Sequence, residues 1–115
     1  MNKYYITGAS SGIGLALTNL LLEDENNRVV GLSRNQSITH RRYEHVFLDL
    51  SDLDSVSSFV FNINEDEDSF YLINNAGWLG EVGEFGELNP NNISRIMDVN
   101  LSAPSILTNA FVKQV

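Results

Sequence analysis

The sequence predicts an α/β fold built on a parallel sheet, and three observations carry that expectation. Short apolar runs alternate along the chain with segments whose apolar residues recur at helical spacing. A glycine-rich turn, Thr7-Gly8-Ala9-Ser10-Ser11-Gly12-Ile13-Gly14, joins the first apolar run to the first helical segment. A small glycine-ended turn, Asn74-Asn75-Ala76-Gly77, closes the fourth apolar run. Strands that alternate with helices pair in parallel through right-handed crossovers, so their carboxyl ends share one edge of the sheet. At 115 residues the chain has room for one domain.

The elements follow in order. Residues 4–7 form the first strand. The first helix covers 13–22, with Ile13, Leu17, Leu20 and Leu21 as its apolar stripe, and Asn26-Asn27 ends it. Strand two covers 28–33 around Val29, Val30 and Leu32. Residues 35–42 are polar and without period, which reads as loop or a short helical turn. Strand three covers 43–50, centred on Val46, Phe47 and Leu48. Ser51 is then expected to cap a helix, with Asp54 reaching back to it; Leu53, Val56, Val60 and Ile63 supply that helix's stripe. Strand four, 70–74, is almost wholly apolar, as a strand covered on both faces should be. Residues 77–88, with Gly77, Gly80, Gly83 and Gly86, read as a loop. Asn89 and Pro90 open the last helix as cap and first-turn proline. Ile93, Ile96, Met97, Leu101, Ile106 and Leu107 continue it, and Pro104 is expected to kink it.

The net charge is −8, with acid concentrated in Glu23-Asp24-Glu25 and Glu65-Asp66-Glu67-Asp68. Both groups read as solvated surface where a helix ends. The balance argues against nucleic-acid binding, which needs a basic face; Arg41-Arg42 beside His40 reads as loop surface. No apolar run approaches the ~18 residues of a membrane span. The first strand follows Met1 with no secretory leader, so the expected location is cytoplasmic. There are no cysteines, which excludes disulfides and thiolate metal sites, and no metal site is predicted.

The chemistry lies in the turns. A glycine-rich turn opening a helix is a phosphate cradle: the helix start offers unpaired N–H groups and partial positive charge, and glycine lets the backbone approach a pyrophosphate. Its spacing is G-x-x-x-G-x-G, different from the general G-x-G-x-x-G fingerprint. Three further positions stand out, each with a plainer alternative. Asn74 or Asn75 sits where open α/β sheets bind ligands, or simply bonds a turn backbone. Asp49, followed by Leu50, ends strand three and would equally cap the next helix. Asn100 is polar within the last helix, or faces solvent. Ser33 and Arg34 follow strand two, where a carboxylate would accept from a free 2′-hydroxyl and repel a 2′-phosphate. No acid occurs from Leu32 to Gln36, and the arginine fork suits phosphate. NADP(H) is therefore expected over NAD(H), unless Arg34 is ordinary surface. Ser10-Ser11 add hydroxyls to the glycine turn but no second cation.

Taken in order, Gly8, Ser10, Ser11, Gly12, Ile13 and Gly14, then Asp49-Leu50, then Asn75-Ala76-Gly77, then Val99-Asn100-Leu101 form a set. On that set the chain resembles the short-chain dehydrogenase/reductase family over its whole length. The resemblance implies a Rossmann-like, doubly wound parallel sheet, of which residues 1–115 supply about four strands with flanking helices. It implies that the glycine turn wraps the pyrophosphate and that Asp49 binds the adenine edge. Asn75-Ala76-Gly77 would line the cofactor ribose, and Asn100 would distort its helix and hold a relay water. The stretch 75–82 is similar to that of sepiapterin reductases, and 100–108 to benzil and sepiapterin reductase-like members. Trp78, Leu79 and Val82 would form one wall of a substrate pocket.

In that family a tyrosine with a lysine four residues on, and an upstream serine, reduce a carbonyl or oxidise an alcohol using the nicotinamide. No Tyr-x-x-x-Lys occurs here; the lysines are Lys3 and Lys113. Of the relay residues only Asn100 is present. The chain is thus expected to be the cofactor-binding part of a longer enzyme and inactive alone. The alternatives are a non-catalytic nucleotide-binding module and a structural or interaction protein. The resemblance also implies a homo-oligomer that pairs through the helix from Leu101 to Val115.

Overall fold

A computed structural model of the chain describes residues 1–78 and 86–115. Among these, strands β1 (Asn2–Thr7), β2 (Asn27–Ser33), β3 (Tyr43–Phe47) and β4 (Ser69–Ile73) form one parallel sheet in the order β3-β2-β1-β4. Central β1 sets the register: Tyr5 lies beside Val30 on one flank and Leu72 on the other. Alternation along each strand divides the core between the two faces. Tyr5, Val30, Leu32 and Leu72 face one way, against helices α2 (Leu53–Ser58) and α4 (Ala103–Gln114). Tyr4, Ile6, Val29 and Ile73 face the other way, against α1 (Gly12–Leu22). Helices cover both faces, so the doubly wound α/β class is observed.

Several elements depart from their expected form, each for a physical reason. In α1 the buried residues are Gly14, Thr18 and Leu22, while Ile13 and Leu20 of the expected stripe are 79% and 60% exposed. The helix meets the sheet through Gly14 and Thr18 together with Leu22, and Leu17 and Leu21 of the expected stripe pack on the same cluster; Thr18 Oγ1 donates back to the Gly14 carbonyl at 2.7 Å. The helix after β3 is capped by Asp52, which accepts from the Ser55 amide at 3.3 Å, and not by Ser51 with Asp54. It stops at Ser58, and the chain then alternates: Phe59 half-buried, Val60 exposed, Phe61 buried, Asn62 exposed. That period of two outweighs the helical spacing read from Val56, Val60 and Ile63. Phe59 and Phe61 meet Tyr5 edge to face at 6.3 and 4.8 Å, as aromatic quadrupoles prefer.

The strand β4 is not covered on both faces. Its Tyr71 is exposed and stacks on Tyr4 with ring centres 4.5 Å apart. Residues 35–42 are a loop, but Arg42 is not loop surface. Its guanidinium is buried and donates to the carbonyls of Leu22 (2.7 Å), Asp24 (2.6 Å) and Asn27 (2.7 Å). They span the end of α1 and the turn into β2: Leu22 ends the helix, the Asp24 carbonyl in the turn also accepts from the Asn27 amide at 3.0 Å, and Asn27 opens the strand, so the cation also offsets the helix dipole. The last turn of α1 holds no basic residue of its own.

Asn89 caps α3 (Pro90–Met97) by accepting from the Asn91 amide at 2.9 Å, with Pro90 in the first turn, as expected. The helix does not run on regularly: Asp98–Ser102 form a π-helical turn before α4. The irregularity lies one turn ahead of Pro104, because proline brings no N–H for the Asn100 carbonyl. Ala103 and Leu107 of α4 pack into this chain's own core, while Leu101 and Val112 stay exposed. No helix of the described residues is long and apolar enough to cross a membrane.

Candidate functional site

The carboxyl ends of all four strands open into one cleft of about 510 Å³. Its walls include Gly8, Ser10, Ser11 and Ile13 from the glycine turn, Ser33 at the end of β2 with Arg34 after it, and Asp49 and Leu50 after β3. Asn75, Ala76 and Gly77 line it after β4. Residues expected from widely separated motifs therefore meet in a single place. Gly12, Gly14 and Asn100 do not line the cleft; they shape what does. Leu79 and Val82 lie outside the described residues.

The turn needs its glycines for distinct reasons. Gly8 and Gly12 have φ of +69° and +56°, the left-handed region that side chains avoid. At Gly14 the obstacle is contact: a Cβ there would run into the Gly8 carbonyl oxygen and lie 2.5 Å from Asn75 Nδ2. The turn is thereby folded against the start of α1. Ser11 is the N-cap but makes no side-chain capping bond, so it supplies no acceptor to the first-turn N–H groups.

Asn75 ties this turn to the β4 turn. Its Nδ2 donates to the carbonyls of Thr7 and Gly8 at 3.2 and 3.3 Å. Thr7 Oγ1 in turn accepts from the backbone amides of Asn75 and Ala76, both at 3.0 Å. The alternative in which an asparagine simply serves its own turn thus applies to neither: Asn75 bridges two strands, and Asn74 donates to Thr108 Oγ1 at 2.9 Å. On the far side, Ser37 Oγ donates to the Ser10 carbonyl at 2.6 Å and draws the loop after β2 against the glycine turn.

Asp49 lies beyond β3, which ends at Phe47 rather than at residue 50. Its Oδ1 accepts from Ser51 Oγ at 2.7 Å and from the Ser51 amide at 2.9 Å. Those bonds, chiefly the hydroxyl's, hold its carboxyl below the usual range against the opposing effect of burial, and Arg34 and Arg95 add attraction. It does not cap α2, which Asp52 does.

Asn100 sits in the π-helical turn and does not face solvent idly. Its Oδ1 accepts from the Trp78 amide at 2.9 Å, and its Nδ2 donates to the Trp78 carbonyl at 2.7 Å. Both main-chain polar groups of Trp78 are thereby fixed to the last helix. The Trp78 ring carries the Arg95 guanidinium 4.8 Å from its centre. Arg95 and Val99, one helical turn apart, also line the cleft, as do Leu32, Asn35, Leu48 and Trp78. Arg95 was not among the expected residues. Its signal is spacing: Val99 flanks Asn100 in the Val99-Asn100-Leu101 run, and four residues back on the same helical face stands a cation.

The fit to a nucleotide can be judged from these groups. The volume falls in the range of ligand pockets, about 300–1,000 Å³. Unpaired helix-start amides, a turn closed to side chains, a carboxylate and two guanidiniums suit the phosphates, base and ribose of a dinucleotide.

Comparison with known proteins agrees with that chemistry. The family described as short chain dehydrogenase matches residues 2–115. Benzil reductase ((S)-benzoin forming) of Bacillus subtilis is 32% identical over 120 residues, covering 99% of this chain and 49% of the relative. The chain thus spans about half the length of the curated relatives it matches. A short-chain dehydrogenase/reductase from Burkholderia vietnamiensis superposes with a TM-score of 0.82 at 27% identity, covering 97% of this chain and 58% of that one. A metagenomic short-chain oxidoreductase in complex with NADP gives 0.79 at 27% identity, covering 97% and 55%. A 4-hydroxyisoleucine dehydrogenase complexed with NADH gives 0.79 at 27% identity, covering 99% and 49%.

Proposed function

Because this chain belongs to the short-chain dehydrogenase family, we propose that it is the cofactor-binding part of an oxidoreductase that binds NADP(H) in preference to NAD(H). The observation that carries this reading is the cleft itself, where the glycine turn, Arg34 and Asp49 converge at the strand ends. The first-turn amides of α1 take the pyrophosphate, and Gly8, Gly12 and Gly14 give the turn the shape that lets its backbone approach it. Asp49 accepts from the adenine amino edge, with Leu50 against the base. Arg34 pairs with the 2′-phosphate, and Ser33, Ser10 and Ser11 add hydroxyl donors. Asn75, Ala76 and Gly77 line the ribose.

When bound, the nicotinamide exchanges a hydride with a small carbonyl or alcohol substrate. Asn100 is the relay residue present. Both ends of its amide are engaged by Trp78, so the atom left to hold a relay water is its carbonyl oxygen, whose usual i+4 donor Pro104 lacks. The chain carries no Tyr-x-x-x-Lys, and residues 1–115 alone are expected to show no turnover. A cytoplasmic location and a homo-oligomer complete the proposal; the exposed outer face of the π-helical turn and α4, with Leu101 and Val112, meets the second copy.

Calorimetric titration of the chain with NADPH and NADH tests the reading. NADPH should bind more tightly, and Arg34→Glu should reverse the order, because a carboxylate repels the 2′-phosphate and accepts from the 2′-hydroxyl. Binding of neither cofactor would refute the site, and an unchanged ratio in Arg34→Glu would refute the role given to Arg34.

A further inference from the structure

We infer that Arg95, braced on the Trp78 indole, is an adenine-stacking residue of this cleft, presenting to the base the guanidinium face that the indole leaves uncovered. The inference rests on the dinucleotide reading above and adds to it a residue that the motifs do not contain. The brace is geometric. Asn100 fixes Trp78 at both main-chain polar atoms, and the ring carries the Arg95 Cζ 4.8 Å from its centre. Arg95 stays solvent-exposed while lining the cleft, so its other face is open to a ligand. Among the described residues no carboxylate pairs with it.

Its place along the cleft is the base end. Val99, one turn further along the helix, lines the same wall and packs in the core cluster that contains Leu50. The Asp49 carboxylate feels Arg95 as well as Arg34. The two arginines then divide the labour by chemistry. Arg34 meets the group that differs between the two cofactors, and Arg95 meets the base that they share. A planar cation between two π faces suits that task, and a lysine does not.

The test is titration of the chain and its Arg95→Ala, Arg95→Gln and Arg95→Lys variants with NADPH, NADH and 5′-AMP. Calorimetry and the fluorescence of Trp78, the single tryptophan of the chain, supply the readouts. Arg95 is exposed, so far-UV circular dichroism should be unchanged in all three variants. Affinity for every nucleotide should fall roughly three- to fivefold in Arg95→Ala, with the NADPH-to-NADH ratio unaltered. Arg95→Gln and Arg95→Lys should fall with it. Wild-type affinity in Arg95→Ala or Arg95→Lys would overturn the stacking role, as would a loss confined to NADPH, which would make Arg95 a phosphate ligand. If the unmodified chain binds none of the three, the dinucleotide reading itself fails and this inference with it.

Discussion

Replacing Arg42 by alanine should destabilise the chain by about 3 kcal/mol although the residue touches neither cleft nor cofactor. The magnitude follows from its three bonds. The guanidinium donates at 2.7, 2.6 and 2.7 Å to the carbonyls of Leu22, Asp24 and Asn27. Bonds from a charged donor are worth about 1.5–3 kcal/mol each where both ends are buried. The bonds to Leu22 and Asn27 are buried; that to Asp24 is only partly so, and water can take its place. Two bonds at the lower figure give about 3 kcal/mol, with the lost dipole partner inside that uncertainty. Urea unfolding followed by circular dichroism measures it, and thermal melting should fall by roughly 12 °C at about 4 °C per kcal/mol. Arg42→Lys keeps the charge but not the fork, and should recover about half. A loss below about 1 kcal/mol, or a lysine variant as stable as the parent, would refute the idea that one guanidinium closes the end of α1.

Gly14→Ala should cost about 1–3 kcal/mol and abolish nucleotide binding, since the atom in the way is the backbone carbonyl of Gly8; an alanine variant that melts and titrates like the parent would count against the packing account of the turn. Asp49 should mark the acid limb of stability. Its carboxyl is held low in the folded chain, first by Ser51 Oγ, so its contribution is whole above the unfolded value of about 3.9 and fades as pH falls through the folded value. Urea midpoints of the parent and Asp49→Asn should therefore differ at pH 6 and converge toward pH 2, and parallel curves across that range would be inconsistent with the Ser51 bonds.

The sheet and the residues of the cleft were legible because both are written locally. Strand runs such as Val29-Val30 and the glycine spacing of residues 8–14 announce themselves within a few residues. What escaped was set by partners far along the chain. Arg42 looks like loop surface until the end of α1 is brought beside it. Of the α1 stripe Leu17 and Leu21 pack on the core while Ile13 and Leu20 turn outward, because the close approach of Gly14 to Gly8 sets the rotation of the helix. Val60 kept helical spacing with Val56 while its neighbours alternated, and burial of Phe61 against Tyr5 settled that conflict. Arg95 carries only its four-residue spacing from Val99 in the sequence, and the Trp78 ring gives that spacing a meaning; Asn100 stands out in the sequence, but its partner, the Trp78 backbone, does not.

The bridge from Asn75 to Thr7 and Gly8 has a bearing on the order of assembly. Those residues are 68 and 67 positions apart, and the turn they fasten lies between β1 and the first helix. The first strand–helix–strand unit can form early from near contacts, but the loop from residue 7 to 75 must close before Thr7 and Gly8 gain their four bonds to the β4 turn, a step that carries the entropy of a long closure. The phosphate cradle is therefore finished late, when β4 docks. A growing chain that had exposed only β1 to β3 would hold the cradle's glycines without its shape. Nucleotide bound at that turn would then stabilise the docked state of β4, so the ligand would also serve as a clasp on the last strand to arrive.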